Sequence, residues 1–247
     1  KVDMSTHALA GAPGEVVTEG LDGLRGRLDE YRKMGALFTK WRAVITIGDH
    51  IPSRYCIEVN SHALARFAAL SQEAGLVPII EPEVLMDGDH DIDRCFDVTE
   101  ATLKRVYEDL YAQRVVLEGT LLKPNMVLSG SAAADRAGPE EVAEKTMRCL
   151  RRTVPAAVPG AVFLCGGQSD DEATRNLDAL NRRRAEIPLE LSFSYGRGLQ
   201  ATPLKAWGGD PNNVAAAQDA FFHRAKVTGA ARRGAYDPAM RREAFGV

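Results

Sequence analysis

Two apolar runs of the chain end in a charged residue that is followed at once by a proline. Glu81 precedes Pro82, and Lys123 precedes Pro124. Proline cannot donate a ladder hydrogen bond, so each run should form a strand that stops at its charged residue. Both residues would then lie at the C-terminal rim of a parallel sheet, where barrel enzymes build their active sites. For a single strand end, the simpler explanation of the charged residue is that it marks where the chain enters water. An acid at one strand end and an amine at another make a functional role equally good as an explanation.

A third segment could add charge to the same place. Lys40 and Arg42 flank Trp41, and in a strand both charged side chains project to one face. The pocket would then hold two carboxylates and three cations, contributed by Lys40, Arg42, Glu81, Glu83 and Lys123. Neighbouring cations and apolar walls disfavour a charged lysine, and a neutral amine is the form that attacks a ketone. A nearby glutamate could move the protons that imine formation and C–C cleavage require. The alternative is a solvated strand start around a packed tryptophan.

Two glycine-rich turns follow the last two apolar runs. The first turn contains Cys165 and Gly166, and the second contains Ser194, Gly196 and Arg197. Glycines let backbone N–H groups approach an anion, and a helix N-terminus adds positive potential there. An arginine can also hold a phosphate with two hydrogen bonds. A consecutive pair of such turns therefore favours a phosphorylated substrate, although either turn alone is a weak signal.

Strand and helix patterns alternate along the chain and would position these residues. The predicted strands are residues 43–47, 76–81, 114–123, 161–164 and 189–194. Helices are predicted over residues 21–31, from a cap at Asn60 or Ser61, from a capping box at Asp97, from Pro139, from Ser169, and over residues 213–227. This alternation predicts an α/β fold with a parallel sheet, either open or closed into a barrel. Residues 1–229 are predicted to form a single domain, and residues 230–247 a mobile polar tail.

The composition excludes several classes of function. The 247 residues carry a formal net charge of −3 and include 45% hydrophobic residues, so neither nucleic acid nor a membrane is expected as partner. The four cysteines form no CxxC pair, which suits a reducing compartment. The five histidines show no metal-binding spacing, and no metal is expected. The acidic run at residues 87–93 lacks the glycine and the closing glutamate of a calcium loop, so a solvated loop is favoured.

The segment from Val115 to Asn125, which contains Lys123, resembles the signature around the imine-forming lysine of class I fructose-bisphosphate aldolases. The resemblance continues in order through residues 20–24, 40–42, 77–83, 88–91, 150–155, 166–169, 194–197 and 204–209. It implies a TIM (β/α)8 barrel of which this chain covers roughly the last five strand-helix units. It also implies reversible aldol cleavage of fructose 1,6-bisphosphate without a cofactor, in a cytoplasmic homotetramer.

The resemblance also implies a role for each matching residue. Lys123 would form the Schiff base, and Glu81 would serve as the acid and base. The charge network around the imine would be Lys40, Arg42 and Glu83. Lys1 would lie close to the distal phosphate, whereas the ketose phosphate would be held by Gly166, Ser194, Gly196 and Arg197. Cys165 stands where the family pattern has serine; a thiol is a weaker hydrogen-bond partner, but a backbone N–H contact would survive the change.

The chain departs from the family pattern at both ends. It ends in Val247 rather than in the tyrosine that family members often use, so the tail is expected to be divergent or incomplete. At the front, the resemblance begins near the end of the third barrel strand, which predicts that the chain is part of a longer polypeptide. Two alternatives to an active aldolase stay open: an inactive truncated fragment, and a metal-free sugar-phosphate isomerase or lyase that uses Glu81 as base.

Overall fold

Strands and helices alternate throughout the computed structural model, which describes residues 1–240. In chain order the elements are β1 (Thr6–Ala8), β2 (Val16–Thr18), α1 (Leu24–Lys33), β3 (Phe38–Ile45), α2 (Arg54–Glu73), β4 (Val77–Val84), α3 (Ile92–Ala112), β5 (Leu121–Leu122), α4 (Pro139–Thr153), β6 (Gly160–Phe163), α5 (Asp170–Arg182), β7 (Glu190–Phe193), α6 (Arg197–Trp207) and α7 (Val214–Ala231). Short 3-10 turns lie at Leu117–Gly119, Arg184–Glu186, Pro211–Asn213 and Pro238–Met240.

The central sheet contains β3, β4, β5, β6 and β7, which are parallel and lie side by side in their sequence order. The pair β3–β4 has the longest ladder, which runs from Phe38 opposite Val77 to Ile45 opposite Val84. Successive helices pack on one another along the outside, α2 on α3, α3 on α4 and α4 on α5. The predicted α/β class with a parallel sheet is confirmed. The small antiparallel hairpin β1–β2 was not predicted.

The prediction of one long strand over residues 114–123 is wrong, because only Leu121 and Leu122 are strand. Residues 117–119 instead form a 3-10 turn, which the Gln72 side chain holds from α2. Its amide donates to the carbonyl of Val116 at 2.7 Å and accepts from the N–H of Val116 at 3.0 Å. A side chain from another element therefore satisfies backbone groups that a strand would have paired.

The prediction that the second strand stops at Glu81 is also wrong, since β4 continues through Pro82 to Val84. Alternate residues of a strand direct their backbone groups to the same neighbour. The Ile80 carbonyl and the Val84 N–H face β5, so the nitrogen of Pro82, which carries no hydrogen, faces β5 as well. On that side β4 pairs with strand β5 only at Ile79 and Ile80. Proline therefore removes no ladder hydrogen bond there. The strand before Lys123 ends one residue earlier than predicted, at Leu122.

Two helices begin earlier than predicted. Helix α2 is capped by Ser53, whose side chain accepts from the N–H of Cys56, whereas Asn60 and Ser61 lie inside the helix and are buried. Helix α3 is capped by Asp91 rather than by Asp97. The helix starts at Pro139 and after Ser169 are confirmed, and α6 was not predicted.

The last helix, α7, runs past the predicted domain boundary at residue 229 and ends at Ala231. Ala230, Ala231 and Tyr236 are buried, and the N–H of Tyr236 donates to Asp178 of α5 at 2.8 Å. Residues 230–236 therefore pack with the rest of the fold. The remainder of the predicted mobile tail includes residues 241–247, which lie outside the described residues. In the described part of the chain, no helix is long and apolar enough to cross a bilayer.

Candidate active site

Lys123 and Lys40 both contact one buried carboxylate. The Lys123 ammonium lies 3.0 Å from Oε1 of Glu81, and the Lys40 ammonium lies 2.7 Å from Oε2. The Glu81 side chain is only 4% exposed, whereas the two lysine side chains are 14% and 20% exposed. Oε2 receives no hydrogen bond of good geometry from any described residue, so its contact with Lys40 is an ion pair rather than a hydrogen bond. The arrangement holds the Lys123 amine beside a carboxylate that Lys40 contacts at its other oxygen.

The ladder between β3 and β4 explains why these residues meet. Arg42 lies opposite Glu81 in the register, and Val44 lies opposite Glu83. Alternate residues of a strand share a face, so the charged side chains project to one side of the sheet. Trp41 projects to the other side, where it is fully buried and stacks on Phe67 of α2 with ring centroids 5.6 Å apart. The packed tryptophan and the charge cluster are therefore both present, on opposite faces of β3.

A second ion pair lies next to the first. The Arg42 guanidinium donates a hydrogen bond to Oε2 of Glu83, whose side chain is buried. Burial by itself lowers the pKa of Arg42, but the hydrogen bond to Glu83 and the charges of Glu83, Glu81 and Asp3 outweigh it, so the pKa is raised above its usual value. Arg42 therefore stays protonated, and its charge is a fixed part of the site.

The N-terminal segment runs along the free edge of β3 and brings Lys1 to the cluster. The N–H of Val2 donates to the Lys40 carbonyl at 3.0 Å. The Asp3 carboxylate accepts from the N–H of Arg42 at 3.2 Å and lies 3.1 Å from the Lys1 ammonium. Asp3 is thus a site residue that the sequence reasoning missed. Its only sequence signal is the lysine two positions before it, which is too common to be informative.

The C-terminal ends of β5, β6 and β7 lie next to one another along the same rim. The N–H of Lys123 donates to the Ile80 carbonyl at 2.8 Å, the N–H of Leu164 to the Pro124 carbonyl at 3.1 Å, and the N–H of Ser194 to the Phe163 carbonyl at 2.8 Å. These bonds place each strand end beside the next one. Both glycine-rich turns therefore start from the edge of the sheet that carries Lys123.

The first glycine-rich turn approaches the carboxylate cluster. Gly166 has a φ of +51°, and a Cβ built on it would lie 2.7 Å from Cδ1 of Leu164 and 3.9 Å from Oε1 of Glu83. Only glycine fits this close, left-handed position without strain. Cys165 is buried beside it with its side chain unpaired by any disulfide. The turn then enters α5, where Ser169 accepts from the N–H of Glu172 at 3.2 Å.

The second turn is more open to solvent. Ser194, Gly196 and Arg197 are exposed, and Arg197 begins helix α6. Among residues 1–240, Arg197 has no ion-pair partner, which leaves its guanidinium available for an anion. Tyr195 is buried between them and donates its hydroxyl to the Ala173 carbonyl at 3.1 Å. The turn is therefore anchored to the helix that follows the first turn.

Asn125 is a second residue that the sequence reasoning did not single out as functional. It is buried two residues after Lys123, and its side-chain oxygen accepts from the N–H of Val84 at 3.0 Å. Its amide nitrogen donates to Oγ1 of Thr99 at 3.1 Å and to the Met126 carbonyl at 3.0 Å. Asn125 therefore ties the end of β4 to the turn that follows Lys123.

Comparisons with known proteins identify the family. The model of the class-I fructose-bisphosphate aldolase family matches residues 1–246. A probable fructose-bisphosphate aldolase class 1 from Xanthomonas campestris pv. campestris is 57% identical over 235 residues, which are 95% of this chain and 70% of the relative. Cytosolic fructose-bisphosphate aldolase 6 of Arabidopsis thaliana is 55% identical over 236 residues, which are 96% of this chain and 66% of the relative.

The solved structures agree with this result. Fructose-bisphosphate aldolase from Plasmodium falciparum, solved in complex with TRAP and a small-molecule inhibitor, matches with a TM-score of 0.93 and 44% identity over 96% of this chain and 68% of that chain. The parallel sheet and the lysine–carboxylate site fit the class of Schiff-base lyases. The chain belongs to the class I fructose-bisphosphate aldolase family, as the sequence motifs predicted.

Proposed function

We propose that the chain catalyses the reversible aldol cleavage of fructose 1,6-bisphosphate to dihydroxyacetone phosphate and glyceraldehyde 3-phosphate through an imine on Lys123. The observation that carries the proposal is the contact of the Lys123 amine with Glu81, 3.0 Å away at the rim of the sheet. An amine that attacks a carbonyl needs a group within hydrogen-bond reach to take and return its proton. Membership of the aldolase family supports the same chemistry.

The proton transfers follow from this geometry. The neutral Lys123 amine adds to the ketone carbon, and Glu81 donates a proton to the departing hydroxyl, so that water leaves and an iminium forms. The C3–C4 bond then breaks as the C4 hydroxyl gives its proton to the Glu81 carboxylate, and the bonding electrons pass into the iminium to give an enamine and the free aldehyde. Glu81 returns that proton to the enamine at C3, and addition of water to the resulting iminium releases the ketone, the neutral amine and a proton that Glu81 takes up. Lys40, by holding Oε2 of Glu81, keeps Oε1 turned toward Lys123.

The phosphate groups are assigned to the two glycine-rich turns and to the N-terminal segment. The ketose phosphate would bind backbone N–H groups near Cys165 and Gly166, together with Ser194, Gly196 and the Arg197 guanidinium. Support comes from the approach of the Gly166 turn to Glu83 and from the Arg197 guanidinium, which has no ion-pair partner among residues 1–240. Lys1 would contact the distal phosphate, since its pair with Asp3 holds it at the side of β3.

The proposed architecture is an eight-stranded barrel of which these five strand-helix units are part. A doubly wound sheet reverses its strand order at a switch point, whereas a barrel adds each strand beside the last. The order from β3 to β7 has no reversal, and residues 1–3 occupy the next position beside β3. We also propose a cytoplasmic homotetramer; sedimentation velocity would report four copies, and a monomer at micromolar concentration would contradict it.

The decisive test is borohydride trapping with dihydroxyacetone phosphate, followed by peptide mass mapping. A reduced adduct on Lys123 is expected, and Lys123→Met should abolish it. Lys145→Met is the matched control, because Lys145 lies on α4 and pairs with Asp93 of α3 rather than with Glu81. Turnover without any adduct would favour an isomerase or lyase that uses Glu81 as base. The absence of both adduct and turnover, with an uncooperative thermal transition, would favour the inactive fragment.

A further inference from the structure

We propose that Arg224 is a positioning residue that sets the distance between the two glycine-rich turns and so determines affinity for the ketose phosphate. The inference deepens the proposed function and rests on it, because it takes both turns to be one phosphate site. Arg224 lies on α7, on no strand end, and has no place in the chemistry assigned above. It acts through the backbone of the elements that carry the turns.

One guanidinium contacts both elements. Arg224 is 8% exposed, and its Nε donates to the carbonyl of Gly198 at 3.0 Å. Its Nη2 donates to the carbonyl of Asp170 and to Oγ1 of Thr174, both at 3.2 Å. Gly198 belongs to the first turn of α6, directly after the second glycine-rich turn. Asp170 begins α5, directly after the first glycine-rich turn.

Two further contacts tie the same pair of helices together. The Asp170 carboxylate accepts from Oγ1 of Thr202 on α6 at 2.8 Å and lies 3.6 Å from Nε of Arg224. The Tyr195 hydroxyl, from the second turn, donates to the Ala173 carbonyl on α5. The starts of α5 and α6 are thus joined by a polar network with the buried Arg224 at its centre.

The network matters for binding because both turns must reach one phosphate at the same time. Backbone N–H groups at two helix starts bind an anion strongly only when both sets lie at hydrogen-bond distance. A displacement of about 1 Å between the helix starts breaks one set of bonds. The planar guanidinium can donate hydrogen bonds to carbonyls on both helices at once, whereas a lysine ammonium has no such fixed arrangement of donors. The hydrogen bonds of Arg224 go to α5 and to α6, and this pattern favours a positioning role.

The test compares two ketones that differ only in the phosphate. Borohydride trapping on Lys123 is measured against concentration for dihydroxyacetone phosphate and for dihydroxyacetone, in the 247-residue chain and in Arg224→Gln. The half-saturating concentration should rise about tenfold or more for the phosphorylated ketone, as expected for the loss of a charge-assisted hydrogen bond, and stay unchanged for dihydroxyacetone. Arg105→Gln is the matched control, because Arg105 bridges Glu58 and Asp109 between α2 and α3.

An equal change for both ketones, or no change for either, would overturn the positioning role. Should Arg224→Gln fail to fold, Arg224→Lys and Thr202→Val provide the same comparison with a smaller expected shift. Calorimetric binding of inorganic phosphate separates this inference from the proposed function. If the unchanged chain gives no adduct, the imine proposal fails, but Arg224→Gln should still weaken phosphate binding. If inorganic phosphate binds both proteins equally, the positioning role is excluded.

Discussion

Replacement of Asn125 by alanine should cost more stability than its size suggests. The side chain joins three elements, since it accepts from the N–H of Val84 on β4 and donates to Thr99 on α3 and to the Met126 carbonyl. Asn125 is 5% exposed, and Val84 and Thr99 are each 3% exposed. Water therefore cannot replace the lost partner without entering the core.

The expected loss follows from these contacts. A buried donor that loses its only partner costs about 1–3 kcal/mol, which applies to the Val84 N–H, and each of the two other bonds contributes about 1 kcal/mol net. Together with the small void left by the amide, Asn125→Ala should lower the free energy of unfolding by about 3–5 kcal/mol. The end of β4 would also move relative to Lys123, so the rate of borohydride trapping should fall in the variant that remains folded.

Urea unfolding followed by circular dichroism measures the first effect. Asn181→Ala is the matched control, because Asn181 is similarly buried but donates, among residues 1–240, to the Leu177 carbonyl of its own helix alone, at 2.9 Å. That change should cost about 1 kcal/mol. If Asn125→Ala is no more destabilising than Asn181→Ala, the idea that Asn125 joins β4 to the Lys123 turn is refuted.

Three other changes probe different parts of the molecule. Burial outweighs two neighbouring carboxylates and lowers the pKa of His90 below its usual 6.5. The unfolded chain then binds this proton more readily than the folded chain, so the free energy of unfolding should fall as pH drops through 6.5. Urea unfolding at about pH 7.5 and about pH 5.5 should show this loss, and His90→Gln should remove it. Burial raises the pKa of Cys149 to about 12, so timed alkylation should label Cys165 well before Cys149, and inorganic phosphate should slow only the label at Cys165. An unchanged rate with phosphate would contradict a phosphate site there. Gly130→Ala would place a methyl 2.3 Å from a backbone carbonyl oxygen and should cost about 3 kcal/mol, whereas Gly138→Ala, with no neighbour within 4 Å, should be nearly neutral on thermal unfolding.

The strand and helix pattern could be predicted because it depends on local chemistry. Pro139 begins α4 and Ser169 caps α5, and in both cases the signal lies within three residues of the helix start. The early start of α2 at Ser53 was missed because Asn60 and Ser61 are also good caps. They are used instead inside the helix, where Asn60 donates to the Val16 carbonyl at 2.8 Å and so holds the β1–β2 hairpin. Tertiary contacts decide between caps that are locally equivalent.

The contacts missed at the site are all long-range. Asp3 reaches Arg42 across 39 positions of sequence, and Arg224 reaches Gly198 across 26. Neither residue stands at a strand end, and an aspartate near a chain start or an arginine on a helix ordinarily reads as a solvated surface charge. Their burial cannot be inferred from neighbours in sequence, since the partner of each belongs to another element. The residues that could be predicted were those whose position relative to the sheet is set by their own strand.

Glu81 illustrates why an incorrect strand boundary still led to the correct pair. Glu81 and Lys123 were expected to lie together because both strands were expected to stop there, yet β4 continues three residues beyond Glu81. The parallel register brings the two side chains together. Ile80 lies opposite Leu122, so the residues that follow them, Glu81 and Lys123, lie side by side. The prolines then act differently on each strand. Pro82 stays in the ladder with β3, where it lies opposite Ala43, whereas Pro124 follows the residue at which the chain leaves the sheet. The carboxylate is therefore held rigidly within a strand, and the amine lies on the first residue beyond one. This arrangement suits the proposed mechanism, in which Glu81 stays fixed as the base and Lys123 reaches the substrate as the nucleophile.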